Sequence, residues 1–200
     1  MNTLFRPAIT LFVALSLITG ITYPLLVTGV ARAAFADRAN GSLVIADGKL
    51  RGSRLIGQSF ADPGHFWGRP SATTPGPTNG AGSGGSNLGP SNPALVEAVK
   101  ERIAALRAAD PDNRAAVPVD LVTASASGLD PDISLAAAHY QVARVSRARG
   151  VAPEVVRRLV DEHAELPWLG LLGEARVNVL AINLALDAGR AAESVATRVK

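Results

Sequence analysis

The sequence predicts an α+β protein, with a single N-terminal transmembrane helix followed by one soluble α+β domain. Three observations carry this. Residues 7–31 (PAITLFVALSLITGITYPLLVTGVA) contain no charged side chain. The chain beyond them mixes short β-branched runs with stretches whose apolar residues recur at helical spacing. A Gly/Pro/Ser-rich loop over residues 71–92 separates the first β-like runs from the first helical pattern.

The uncharged run is about 25 residues, or roughly 37 Å of helix at 1.5 Å per residue. A bilayer's hydrocarbon core is about 30 Å thick, so the segment spans with some tilt. Ala31-Arg32-Ala33 and Ala34-Phe35-Ala36 resemble signal-peptidase sites. A signal h-region is only about 7–15 residues, however, and the longer run favours an uncleaved anchor. The expected organisation is a short tail at 1–6, a transmembrane helix at 7–31 and a soluble domain at 32–200. Charge leaves orientation open. Arg6 flanks one end and Arg32, Arg38, Lys49, Arg51 and Arg54 follow the other, but long domains translocate largely regardless of charge. Within the span, Ser16, Gly20, Pro24 and Thr28 recur every fourth residue and form one slowly drifting ridge. Small residues permit close helix approach in lipid, which makes the ridge a candidate contact for a partner helix.

Roughly 170 residues after the anchor suffice for one domain with a core. Aromatics are 4% of the chain, so that core is built from Leu, Val, Ile and Ala. A net charge of +3 forms no basic stripe, and nucleic acid is not an expected partner. No cysteine is present, which removes disulfides, thiolate metal sites and cysteine nucleophiles.

Residues 42–46 (SLVIA) and 54–60 (RLIGQSF) read as two strands that could pair as a hairpin, the first ending at the turn signal Asp47-Gly48. The 71–92 loop has the composition of a flexible linker, although loops of this length inside a domain are often functional. Asn92 as N-cap and Pro93 at the first position open a helix that ends near Asp110-Pro111. Its apolar face is Leu95, Val96, Val99, Ile103 and Leu106. Residues 117–124 (VPVDLVTA), short and β-branched, suit a strand or an extended segment. Ser134 caps a helix to Arg149 that Gly150 closes. Pro153 opens another, expected to stop at Leu166-Pro167. Residues 176–188 fit a helix better than a strand, despite Val177 and Val179.

Familiar catalytic signatures are missing. The sequence holds neither a G-x-x-x-x-G-K-[ST] nucleotide loop nor a G-x-S-x-G nucleophile turn. His65, His139 and His163 lack helical zinc spacing. The Asp-Pro-Asp triplets at 110–112 and 130–132 offer paired carboxylates for a hard cation, or simply turn chemistry. Ser83, Gly84, Gly85, Ser86 and Asn87 could present backbone amides to an anion, but no lysine or helix follows at once. Gln141 and Arg144 share a helix face, as a solvated polar face or as a binding pair.

Taken in order, several motifs resemble one family. They are Leu55-Ile56-Gly57-Gln58, Phe66-Trp67-Gly68-Arg69-Pro70-Ser71, Ser83-Gly84-Gly85-Ser86-Asn87-Leu88-Gly89, and Val119–Ser125 running into Ser127–Pro131. His139–Val145, Arg176–Leu180 and Asn183–Asp187 follow. The chain resembles, over nearly its whole length, the C subunit of the Kdp-type potassium-transporting ATPase. The resemblance implies a non-catalytic subunit of a high-affinity, ATP-driven potassium uptake complex in the bacterial inner membrane. It implies one span, with the C-terminal domain extracytoplasmic. Implied partners are a channel-like potassium-translocating subunit, a P-type ATPase subunit, a small subunit and membrane lipid. The family is described as a catalytic chaperone raising the ATPase subunit's affinity for ATP. No cofactor is expected on this chain itself; ATP enters through the ATPase subunit. The family-motif contacts so implied are Ser83, Gly84, Gly85, Ser86, Asn87, Gln141 and Arg144. The absence of Asp-Lys-Thr-Gly and of a T-V-G-Y-G filter agrees with an accessory subunit. The rival from another class is a membrane-anchored extracytoplasmic hydrolase.

Overall fold

A computed structural model describes residues 2–167, 170 and 173–198, and the side chains of 3–167, 170 and 173–189. The chain forms two compact units, Met1–Arg51 and Gly52–Lys200.

The first unit is dominated by one continuous helix, Thr3–Ala34, whose most apolar 18-residue stretch has a mean hydropathy of 2.0 and no buried residue. It comprises α1 (Asn2–Leu17), a π-helical turn (Ile18–Thr22) and α2 (Tyr23–Ala34). The π turn has a local cause. Pro24 has no N–H, and its ring would collide with the carbonyl four residues back in a regular helix. The wider turn ahead of it, in which the Tyr23 N–H donates to Ile18 O, makes room. Phe35 breaks the helix at φ −138°, and a single turn, α3 (Ala36–Ala39), leads on. β1 (Leu43–Ala46) and β2 (Lys49–Ser53) then form a hairpin. The hairpin is shorter than the one expected. Asp47 and Gly48 both sit at positive φ (54° and 72°), the geometry of a two-residue turn, so the returning strand starts at Lys49 and not Arg54.

The second unit is built on a three-stranded antiparallel sheet of order β3–β5–β4. β3 is Asp132–Ser134, β4 Ala164–Glu165 and β5 Arg176–Asn178. Val177 stands opposite both Ile133 and Ala164, so it is held on two sides. That pairing explains why residues 176–178 are strand before α7 (Val179–Arg198) begins. α4 (Pro93–Ala109) starts at Asn92, whose side chain accepts from the Ala94 N–H. α5 (Leu135–Arg149) starts at Ser134, which accepts from Ala137, and closes on Gly150 at φ 68°. Both caps are the expected ones. α6 (Pro153–Glu162) packs on α5 and ends earlier than Leu166. The His163 N–H and ring both reach Leu159 O, after which the chain enters β4. Residues 119–121 form one 3₁₀ turn and no strand, because the Thr123 N–H and hydroxyl both take Val119 O.

The core is aliphatic, as the composition requires. Ile133, Ala137, Ala138, Val142, Val145, Val156, Val160, Val177, Val179 and Ile182 are buried, and Phe66 is the one aromatic among the buried apolar residues described.

Candidate functional site

The long loop lacks helix and strand but is fastened. The Ser71 hydroxyl donates to Gly128 O at 2.7 Å and accepts from Thr78 N at 2.8 Å. Thr73 Oγ1 donates to Gly76 O and accepts from Asn79 N. At the Gly-rich end the Gly84 N–H and the Ser83 hydroxyl both donate to Ser127 O. The backbones approach so closely that a Cβ on Gly128 would lie 2.6 Å from Gly84 O, and one on Gly85 would lie 2.8 Å from Ala126 O. These contacts give the glycines a packing reason. Ser83, Ser86 and Asn87 remain exposed, and Asn87 takes a positive φ of 52°. The segment presents a short polar edge held against residues 126–128.

Gln141 and Arg144 are neither solvated nor surface contacts; they are 1% and 3% exposed. Two consecutive residues of the 62–70 segment are each gripped by a side-chain amide. Asn183 on α7 accepts from Phe66 N at 2.8 Å and donates to Phe66 O at 2.9 Å. Gln141 on α5 accepts from Trp67 N at 2.8 Å and donates to Trp67 O at 3.1 Å. The amides thereby replace a neighbouring strand for a stretch of backbone that has none. Arg144 completes the knot, donating to Gln141 Oε1 at 2.6 Å and to Pro63 O, with its guanidinium 4.1 Å from the Trp67 ring centroid. Burial lowers its pKa to about 10, against the nearby charges of Asp110 and Asp62, so it stays a cation at neutral pH. Its partners are carbonyls and a π face, with no carboxylate in hydrogen-bond reach among the described residues. Periodicity could not reveal this, because the acceptors come from a segment more than seventy residues away.

Arginines neutralise both Asp-Pro-Asp triplets. Asp110, 3% exposed, receives Arg147 at 2.8 Å, and Asp130 receives Arg69 at 2.9 Å. Asp130 also accepts from the Asp132 N–H two residues on, a turn bond, and Asp132 meets Arg176 at 3.1 Å. Burial raises the Asp132 carboxyl above the usual range, opposed by Asn178 and Arg176. His65 and His139 face Asp187 and Asp161. Asp187 also receives Arg149 at 2.8 Å, which ties α7 to the end of α5.

On the membrane helix, Ser16, Gly20, Pro24 and Thr28 are all exposed, and nothing lies within 4 Å of a Cβ placed on Gly20. In a regular helix, twelve residues at about 100° each would turn Thr28 about 120° away from Ser16. The π turn between them adds a residue without advancing the face and takes back about 100°. The four positions are thus closer to a straight line than their spacing alone allows.

A family model described as the K+-transporting ATPase c chain matches residues 5–188, taking in the membrane helix, the fastened loop and the Gln141–Arg144 knot. The chain belongs to the KdpC family. Curated KdpC relatives cover it almost end to end. A potassium-transporting ATPase KdpC subunit of Variovorax paradoxus is 67% identical over 192 residues, 96% of this chain and 100% of the relative. The subunit of Polaromonas naphthalenivorans is 68% identical over 188 residues, 94% of this chain and 96% of the relative. That of Methylibium petroleiphilum is 60% identical over 190 residues. As a KdpC subunit the chain is a membrane-associated component of a potassium-transporting ATPase, and its one long apolar helix suits that place.

Proposed function

We propose that this KdpC chain is a non-enzymatic assembly subunit, anchored by the Ser16–Thr28 ridge, with its C-terminal domain extracytoplasmic and seated on the channel-like subunit of the complex. The carrying observation is the family match spanning helix and domain together. Support for a binding and not a catalytic role comes from the polar side chains the family motifs highlight. Gln141, Arg144 and Asn183 are spent on holding the 62–70 segment, so none is free to handle a substrate. The exposed Ser83–Asn87 edge is the part of those motifs left for a partner. Any effect on the ATPase subunit's affinity for ATP then passes through the assembled complex. Two experiments test the reading. The purified chain, freed of partners, should show no ATP turnover. Ser86→Cys, at an exposed site in a chain with no other thiol, should react with a membrane-impermeant maleimide in intact spheroplasts. Turnover without partners sinks the first part, and labelling only after lysis reverses the orientation.

A further inference from the structure

We propose that the β1–β2 hairpin lies on the bilayer surface next to the membrane helix, its apolar face in the interface and its basic residues on anionic lipid headgroups. The inference rests only on the helix spanning the membrane, not on the partners proposed above. Leu43 and Ile45 point to the same face of β1, and the two-residue turn sets Leu50 opposite Ile45. These three side chains are 52%, 70% and 63% exposed. A two-stranded hairpin is marginally stable in water by itself, so an uncovered apolar face of this kind calls for a cover.

Apolar area would suit a protein or a lipid; charge and distance decide. Between residues 32 and 54 stand five cations (Arg32, Arg38, Lys49, Arg51 and Arg54) against two carboxylates (Asp37 and Asp47). That excess of three equals the net charge of the entire chain, +3. Lys49 and Arg51 lie on β2 itself, on either side of Leu50 and therefore on the opposite face; both are exposed, and Arg51 also meets Asp47 at 3.2 Å. Juxtamembrane cations of this kind are attracted to anionic leaflets. The connection is short as well. Only residues 35–42 lie between α2 and β1, and they are drawn in. Asn40 N and Nδ2 donate to Ala36 O, Gly41 N to Arg38 O and Ser42 N to Asp37 O. Phe35, 59% exposed at the helix end, is an aromatic of the type that settles at headgroup level. An apolar face backed by a cationic one, whose long side chains can reach the headgroups around it, tethered at the end of a span, matches the pattern of interfacial anchors.

The absence of native cysteine makes the test clean. The full-length chain carrying Ile45→Cys or, separately, Leu50→Cys is labelled with an environment-sensitive fluorophore. It is reconstituted into vesicles of phosphatidylcholine alone or with one third phosphatidylglycerol. In the anionic vesicles both labels should shift to the blue, lose at least half of their quenching by aqueous acrylamide, and be quenched by lipids bearing a headgroup-proximal nitroxide. Substituting Lys49→Gln and Arg51→Gln together should return acrylamide quenching toward the neutral-vesicle value. So should raising salt from about 0.1 M to about 1 M, which shortens the Debye length from about 10 Å to about 3 Å. Acrylamide quenching that is equal in the two lipids overturns the proposal. So does protection that appears only when the partner subunits are present, which would place a protein on this face.

Discussion

Replacing Gln141 with Leu should cost far more than its single position on α5 suggests. The side chain holds both polar groups of the Trp67 backbone and accepts from Arg144, so the substitution strands three groups at once. A buried polar group left without its partner costs about 1–3 kcal/mol. With some relaxation at Trp67, which is only half-buried, the total is about 3–6 kcal/mol, against a typical domain stability of about 5–15 kcal/mol. Asn183→Leu strands two neutral groups and should cost about 2–4 kcal/mol. Arg144→Met should cost less than Gln141→Leu, because it removes a buried cation that has no carboxylate and leaves the Trp67 bracket intact. The double variant should be less destabilised than the sum of the singles, by about 0.5–3 kcal/mol, since much of the Gln141→Leu cost is the stranded guanidinium. Urea unfolding of the full chain in detergent, followed by near-ultraviolet circular dichroism, measures all four. A Gln141→Leu cost under about 1 kcal/mol would refute the bracket, and strict additivity would refute the shared bond.

Gly128→Ala should loosen the long loop, because φ is 66° there and the new Cβ would meet Gly84 O and Thr73 Cγ2 at 2.6 Å; cleavage within residues 71–92 by a nonspecific protease should accelerate, and an unchanged rate would mean the loop is not fastened at that point. Burial pulls the Asp187 carboxyl upward, but hydrogen bonds and charge from Arg149 and His65 outweigh it and hold its pKa below the ordinary carboxylate value. A depressed pKa means stabilisation that is complete above about pH 4 and lost as pH falls through the folded value, so the Tm gap between wild type and Asp187→Asn should be full at neutral pH and close in acid. A gap that ignores pH would count against the pairing. Gly20→Leu should reduce the partner subunits retained after detergent extraction while Leu17→Ile should not, and equal retention by all three forms would turn the ridge toward lipid.

The elements legible from sequence were those with local causes. Asn92 and Ser134 announced their helices because a cap is a bond between a side chain and a backbone two or three residues on. The span was legible because the absence of charge over residues 7–31 needs no tertiary context. The misread segments have distant partners. Residues 54–60 carry strand-like apolar content, yet Gly57 N bonds Leu129 O, and the hairpin had already closed at Asp47-Gly48. Residues 176–178 became strand because Ile133 and Ala164 flank Val177 across the sheet, pairings separated by 44 and 13 positions that no window of helical spacing can weigh.

The same logic explains why family motifs were poor guides to individual site residues. A glutamine and an arginine at i, i+3 advertise a polar face, and on most helices that face meets water. Here it meets a segment whose backbone has no strand beside it. Burying that backbone requires donors and acceptors from somewhere, and amide side chains supply one of each. Gln141 and Asn183 do this for adjacent residues from two different helices, so α5 and α7 are fixed to each other through Phe66 and Trp67. A substitution at either amide therefore disturbs the junction of three segments at once, even with no ligand involved. Among the motif residues, Gln141, Arg144 and Asn183 hold the domain together from within, whereas Ser83, Ser86 and Asn87 stay exposed, Ser83 while also fastening the loop to Ser127 O. The buried three could not meet a partner without first unmaking the domain.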